Sequence, residues 1–429
     1  MVRTPTAFRR SGFIVVAALL LSTMSVGVAQ PAVPRATRDP GVVLSWNSIA
    51  FRTISVEGQK PPPVAQLYLA LVSTAVYNAV VTIEGGGAPT LRQPPRPHGH
   101  ASSDVAAATA AHDVLVQYFP ASKPAVDSDY NAWLADVPNS VGRAQGLRVG
   151  RDAAAALIAS RVGDRRDAPI TLSRPPAPPP GMWVPTASGE FLAPWLGFTR
   201  PVVITSAARF GREGPDVLTS AAYAADVEEV QTMGAATGSR RSAAQTDLAL
   251  FFSDNPVRQY QDAMRDLATR RALDIVDTAR MFGAVNAAGA DALIACWREK
   301  YTHDYWRPET AIQRADTDGN PATTPDPAWT PLRPSPPYPE YPSGHACVSA
   351  GTAHALAELF GRVDLTIEST VPGLVVTTRH YSSERVWLND VTNARIWLGI
   401  HFRDAMDDGL RIGREVADAV EGRFRETGD

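Results

Sequence analysis

Pro336-Pro337-Tyr338-Pro339-Glu340-Tyr341-Pro342-Ser343-Gly344-His345 runs directly into Ala346-Cys347-Val348-Ser349-Ala350-Gly351-Thr352-Ala353-His354-Ala355. The four prolines of the first part keep it out of any helix, because each fixes φ and removes a backbone donor. The second part has no proline and is rich in alanine, the strongest helix former. Ser343 stands at the junction, where a serine hydroxyl accepts a bond from a first-turn N–H and marks a helix start. Gly344 then leaves its own N–H unobstructed. The helix start therefore offers free donors and a positive dipole to an anion, with His345 in its first turn. An ordinary cap with an incidental histidine would read the same way in isolation.

The same alternation of alanine-rich helix and proline-rich loop extends outward. Val64, Leu67, Leu69, Ala70, Val72, Ala75 and Val76 predict a broad, well-buried helix over 63–83. Similar stretches occupy 103–118, 139–162, 215–234, 255–271, 274–288, 343–360 and 384–424, while alternating β-branched runs are scarce and 366–378 is the best strand candidate. The expected fold is all-α, built of helical bundles with long proline-rich loops. Residues 174–186, with six prolines, form a linker or a wrapped arm, and the loop 316–342 ends at Ser343. A boundary near 200 would separate an N-terminal helical region, 30–200, from a C-terminal region, 201–429, that holds the chemistry.

The chain has 429 residues, 45% hydrophobic and 20% charged, enough for one large domain or two ordinary ones. A net charge of −3 gives no reason to expect nucleic acid or an anionic membrane as partner, and it makes a local cluster of cations informative. Arg3, Arg9 and Arg10 precede an apolar run from Gly12 to Leu21, then Gly27 and Ala29. This pattern predicts an export signal over 1–29 and a secreted or periplasmic protein. No other stretch is expected to approach the roughly 20 uninterrupted apolar residues that span a bilayer. The two cysteines, Cys296 and Cys347, are either bridged, as an exported compartment permits, or two buried free thiols.

Two further segments carry unusual side chains. Lys300 and Arg307 are seven residues apart, about two helical turns, so a helix would set both on one face with Trp297 on the same stripe. Pro308 should end that helix. Alone, this segment is equally a solvated basic face, and His303 and Asp304 within it face either a pocket or solvent. In the last segment Trp387, Val391, Ala394, Leu398 and His401 recur at helical spacing, which puts His401 on a core-facing stripe with Arg395 at its edge. Burying a guanidinium is costly without an anionic partner. Together the three segments supply Lys300, Arg307, Arg395, His345, His401, the Ser343 hydroxyl and helix-start amides: a cage for a tetrahedral oxyanion.

Lys300-x6-Arg307-Pro308, Pro342-Ser343-Gly344-His345 and Ala394-Arg395-x5-His401 resemble, in order and spacing, the signature of the type 2 phosphatidic acid phosphatase and vanadium haloperoxidase superfamily. The resemblance covers residues 297–405. It implies that Lys300, Arg307, Ser343, the Gly344 amide and Arg395 hold the oxygens of vanadate or phosphate. It further implies that His401 bonds vanadium or attacks phosphorus, and that His345 is the general acid–base. Trp297 and Tyr338 resemble the halide-pocket positions of the haloperoxidase branch.

The implied activity is vanadate-dependent oxidation of halide by hydrogen peroxide, yielding hypohalous acid that halogenates small organic molecules. An exported acid phosphatase acting through phosphohistidine is the alternative, and a binding protein that keeps the cage without turnover is a third reading. The family pattern is departed from at Ala394, where a serine is usual, and at Ala405, where an aspartate commonly stands four residues after the last histidine. Asp404 is one position off, rotated about 100° on a helix. Asp254 is either the carboxylate that orients Arg395 or the cap of the helix at 255–271. Gly-rich nucleotide loops, zinc signatures and serine-triad motifs are absent from the sequence.

Overall fold

Serine, asparagine and aspartate caps and helix-start prolines set most of the helix boundaries. Ser102, Ser140, Ser220, Ser242, Asn255, Asp274 and Ser343 each accept from a first-turn N–H. The computed structural model describes residues 1–2, 39–96, 100–185 and 191–425. Beyond its first two residues, the expected export signal lies outside the described residues. The N-terminal helices are α1 (Gly41–Phe51), α2 (Pro62–Glu84), α3 (Ser103–Tyr118), α4 (Lys123–Ala135) and α5 (Val141–Ser160). The C-terminal ones are α6 (Ala221–Met233), α7 (Ala243–Phe251), α8 (Pro256–Arg270), α9 (Ile275–His303), α10 (Pro308–Gln313), α11 (Gly344–Phe360), α12 (Glu384–Trp397) and α13 (Arg403–Glu421). The strand candidate resolves into a short antiparallel hairpin, β1 (Leu365–Glu368) and β2 (Thr378–Tyr381), with Leu365 opposite Tyr381. The all-α expectation holds.

Helix α9 is the axis of the fold, packing against α2, α11 and α13, while α3 packs against α2 and α5. One apolar core runs from Val42 to Phe424 through all of these helices. Helix α2 corrects one expectation, because it is long and apolar enough to cross a bilayer. In the fold every residue from Pro63 to Glu84 is buried. Its Gln66 donates to the Asn286 side chain of α9 at 3.1 Å, and Asn286 donates to Ser73 at 2.9 Å. Buried polar groups on the two helices thus satisfy one another, as a core helix requires.

Two expectations about helix continuity fail, for local reasons. Helix α9 ends at His303 because Asp304 turns left-handed, with φ 51°, and its N–H closes onto the Lys300 carbonyl at 2.8 Å. The proline-rich segment holds that turn as a wrapped arm. Arg174 grips the Asp304 carboxylate, and Trp183 N–H donates to the Asp304 carbonyl at 2.8 Å. Arg307 is therefore extended, caps α10, and does not share a helical face with Lys300. Likewise 384–424 is two helices. Gly399, with φ 81°, breaks them, and a β-carbon there would lie 2.6 Å from the Gly234 carbonyl oxygen. His401 sits in the turn between α12 and α13, not on a helical stripe.

Candidate active site

A cavity of about 410 Å³ opens between the start of α2, the 253–257 turn and the 336–338 loop. Leu293 and Val348 line its apolar wall, and Trp297 and Tyr338 stand in it with ring centroids 5.1 Å apart. Gly344, His345 and Arg395 line it as well. The other expected residues, Lys300, Arg307, Ser343 and His401, form a buried layer that does not line the cavity, each 1% exposed or less.

The fold positions each member by a traceable contact. Ser343 caps α11 through its hydroxyl, which accepts from Ala346 N–H, and its own N–H donates to the Ala405 carbonyl at 2.8 Å. Gly344 follows because Trp297 leaves room for nothing larger: a β-carbon would stand 2.8 Å from Cζ3 of that ring. Arg307 donates Nε and Nη2 to the Tyr338 carbonyl, at 3.1 and 3.0 Å, and Nη1 to the Ile400 carbonyl at 2.7 Å. Lys300 gives its ammonium to the carbonyls of Pro339, Glu340 and Pro342. It braces the loop that carries Tyr338 and Ser343, and supplies charge from beneath. The Tyr338 ring lies over both cations, 5.0 Å from Lys300 Nζ and 4.8 Å from the Arg307 guanidinium carbon.

Electrostatics show what this layer lacks. Lys300 and Arg307 are buried beside one buried carboxyl, Glu340, while the charged groups acting on buried Arg395 are Tyr338, Arg307 and Tyr260. Burial lowers Lys300 to about 8 and Arg395 to about 10. Burial raises Glu340 to about 8, against the pull of Arg307 and Lys300. Both histidines are held well below their ordinary value, His345 by burial and Arg395, His401 by burial and all three cations. They are neutral, and each then has one N–H and one lone pair.

Sequence reasoning missed Glu340. Its Oε1 lies 2.8 Å from Nδ1 of His401 and accepts Phe402 N–H at 3.0 Å. On the far side of the ring, Arg307 Nη1 is 3.4 Å from His401 Nε2. The available signal was a single carboxylate placed among prolines and aromatics, directly ahead of the cap. Asp254 takes neither expected role. It bonds Arg258 Nη2 at 2.7 Å and Thr370 N–H at 2.6 Å, while Asn255 caps α8 and Arg395 Nη1 donates to the Phe252 carbonyl. His303 contacts Glu299 at 3.3 Å and Asp304 pairs with Arg174, so neither lines the cavity. Cys296 and Cys347 are buried and free.

The residues present fit a tetrahedral oxyanion. Arg395 Nε and His345 Nε2 are sealed from solvent without a hydrogen-bond partner. An orphaned buried guanidinium nitrogen is a costly feature that an anion would relieve. The start of α11 adds first-turn donors beside them.

Comparisons with known proteins agree with this geometry. Residues 280–427 match the family described as the VCPO second helical-bundle domain. The chain is 25% identical to the vanadium chloroperoxidase of Curvularia inaequalis over 50% of its own length. That match spans 46% of the curated relative, less than half of it. Among solved structures, a bacterial vanadium-dependent iodoperoxidase superposes with a TM-score of 0.76 at 23% identity, covering 92% of this chain and 99% of that one. A bacterial vanadium-dependent chloroperoxidase superposes with a TM-score of 0.71 at 19% identity, covering 91% and 98%. These two likenesses establish the helical-bundle fold.

Proposed function

We propose that this chain, a member of the vanadium haloperoxidase superfamily, binds vanadate and oxidises halide with hydrogen peroxide to hypohalous acid, outside the cytoplasm. The carrying observation is that Arg395 and His345, unpartnered at Nε and Nε2, line the same cavity as the Trp297–Tyr338 ring pair. Vanadate, when bound, would supply activation of hydrogen peroxide toward attack by halide without changing its own oxidation state. Arg395, Arg307, the Ser343 hydroxyl and the α11 amides would hold its oxygens, and His401 would bond it through Nε2.

The chain's own residues account for the remaining work. Arg395 and the layer beneath it concentrate positive charge where an anion sits, and burial strengthens that attraction. His345, neutral and unpartnered at Nε2, can take a proton from peroxide at that atom and return it to the departing water. The overall reaction, halide plus peroxide plus one proton giving hypohalous acid plus water, consumes that proton. Trp297 and Tyr338 offer ring edges to a weakly hydrated halide and narrow the approach for water.

A neutral His401 with its lone pair on Nε2 would equally suit attack on phosphorus, so one experiment compares both chemistries. Purified protein is assayed for halogenation of a phenol indicator with peroxide and bromide, with and without orthovanadate, beside hydrolysis of p-nitrophenyl phosphate. Vanadate-dependent halogenation that disappears in His401→Ala is expected. Phosphate release inhibited by vanadate, with no halogenation, would overturn the proposal. Export rests on the residue pattern of 1–29 alone, and secretion of a reporter fused to that segment tests it.

A further inference from the structure

Ala405 fills the first turn of α13, 1% exposed, with its carbonyl accepting from Ser343 N–H. No carboxylate can come to His401 from that position in this chain. Glu340 brings one from the other direction, 61 residues earlier, out of the loop that Lys300 braces.

We propose that Glu340 is a relocated positioning residue, which sets the tautomer and orientation of His401 so that Nε2 presents its lone pair to the oxyanion. The inference rests on His401 as the residue that bonds the oxyanion. Donor and acceptor bookkeeping around the ring carries it. Phe402 N–H can only donate, so Glu340 Oε1 is an acceptor there. A guanidinium can only donate, so the Nε2 that faces Arg307 Nη1 is an acceptor too. A neutral imidazole has one N–H, and the donor beside Nε2 leaves it on Nδ1, pointing at Oε1, with the proton that burial keeps on Glu340 then carried by Oε2. A carboxyl group bonded to the far nitrogen of a ligating ring fixes that ring's tautomer and orientation.

The contacts also fix orientation. Oε1 bonds two consecutive residues, the His401 ring and the Phe402 backbone, so the turn between α12 and α13 is tied to the loop ahead of α11 at one atom. Glu340 Oε2 has no hydrogen-bond partner.

The test reads the ring directly, in protein free of vanadate and phosphate. Nitrogen-15 spectra of histidine-labelled protein at neutral pH, with His401 identified by its loss in His401→Gln, should show protonated Nδ1 and bare Nε2. Wild-type protein with the proton on Nε2 overturns the proposal, and this result needs no variant to fold. In Glu340→Ala the Nδ1 N–H loses its acceptor, so the His401 resonances should shift, and orthovanadate affinity measured by calorimetry should fall about 10–100-fold. Glu340→Gln keeps an acceptor in place and should retain the wild-type tautomer. Unchanged His401 shifts in Glu340→Ala also overturn it. Because the spectra are independent of turnover, a protein that fails to halogenate but shows this tautomer defeats the functional proposal alone.

Discussion

Gly344 lies against the Trp297 ring so closely that a β-carbon would stand 2.8 Å from Cζ3 and 3.2 Å from Cη2. The start of α11 and the tryptophan that faces the cavity are thus packed as one unit. Real β-carbons do not approach ring atoms this closely, so Gly344→Ala must displace either the ring or the start of α11.

Such overpacking costs about 1–3 kcal/mol. Urea unfolding of Gly344→Ala should show that loss, and Trp297→Phe, which removes the clashing atoms, should cancel most of it in the double variant. Equal costs of Gly344→Ala in the two backgrounds would show that the contact is not the source.

Anions should stabilise the folded chain. Lys300, Arg307 and Arg395 are buried, and Arg395 Nε is unpartnered. A ligand at 100 times its Kd adds about 2.7 kcal/mol to stability. Orthovanadate or phosphate should therefore raise Tm, whereas chloride at equal ionic strength should not. Arg395→Met should lose most of this shift while unfolding near the wild-type Tm without anion, because removing a buried unpaired cation offsets the lost bond to the Phe252 carbonyl. Thermal scans with and without anion decide it, and an undiminished shift in Arg395→Met would place the anion elsewhere.

A second titrating group lies away from the cavity. His354 of α11 contacts Asp418 of α13 at 2.8 Å and Glu384 of α12 at 3.5 Å, and Arg414 pairs with Glu384 at 2.9 Å. Glu384 and Asp418 raise His354 to about 9 from an ordinary 6.5. A raised folded value means that this stability is fully present below pH about 6.5 and is lost as pH rises through about 9. Tm measured from pH 6 to 9.5 should decline in the wild type, and His354→Gln should flatten that decline. Parallel curves for the two proteins would count against the triad.

Local chemistry made much of this protein legible. Helical spacing, caps and prolines identified the all-α class and most helices, because these signals act within one or two turns of the residues that carry them. Residue types at fixed spacing also identified the cation and histidine set. The continuity of Lys300 with Arg307, and of Arg395 with His401, was misread. The breaks lie at Asp304 and Gly399, where backbones distant in sequence close on the turn, the arm at Trp183 in one case and Gly234 in the other. Glu340 escaped notice for the same reason, since its partner lies 61 residues away.

The sequence by itself determined which cations and histidines this protein gathers and that they ride on helices and proline-bound loops. Tertiary structure alone decided how their donors and acceptors are shared. It gave the Lys300 ammonium to three carbonyls, set His401 Nδ1 against Glu340, and left Arg395 Nε without a partner. The physical reason is that every buried polar group must find its partner in space, and that accounting closes only when the chain has folded.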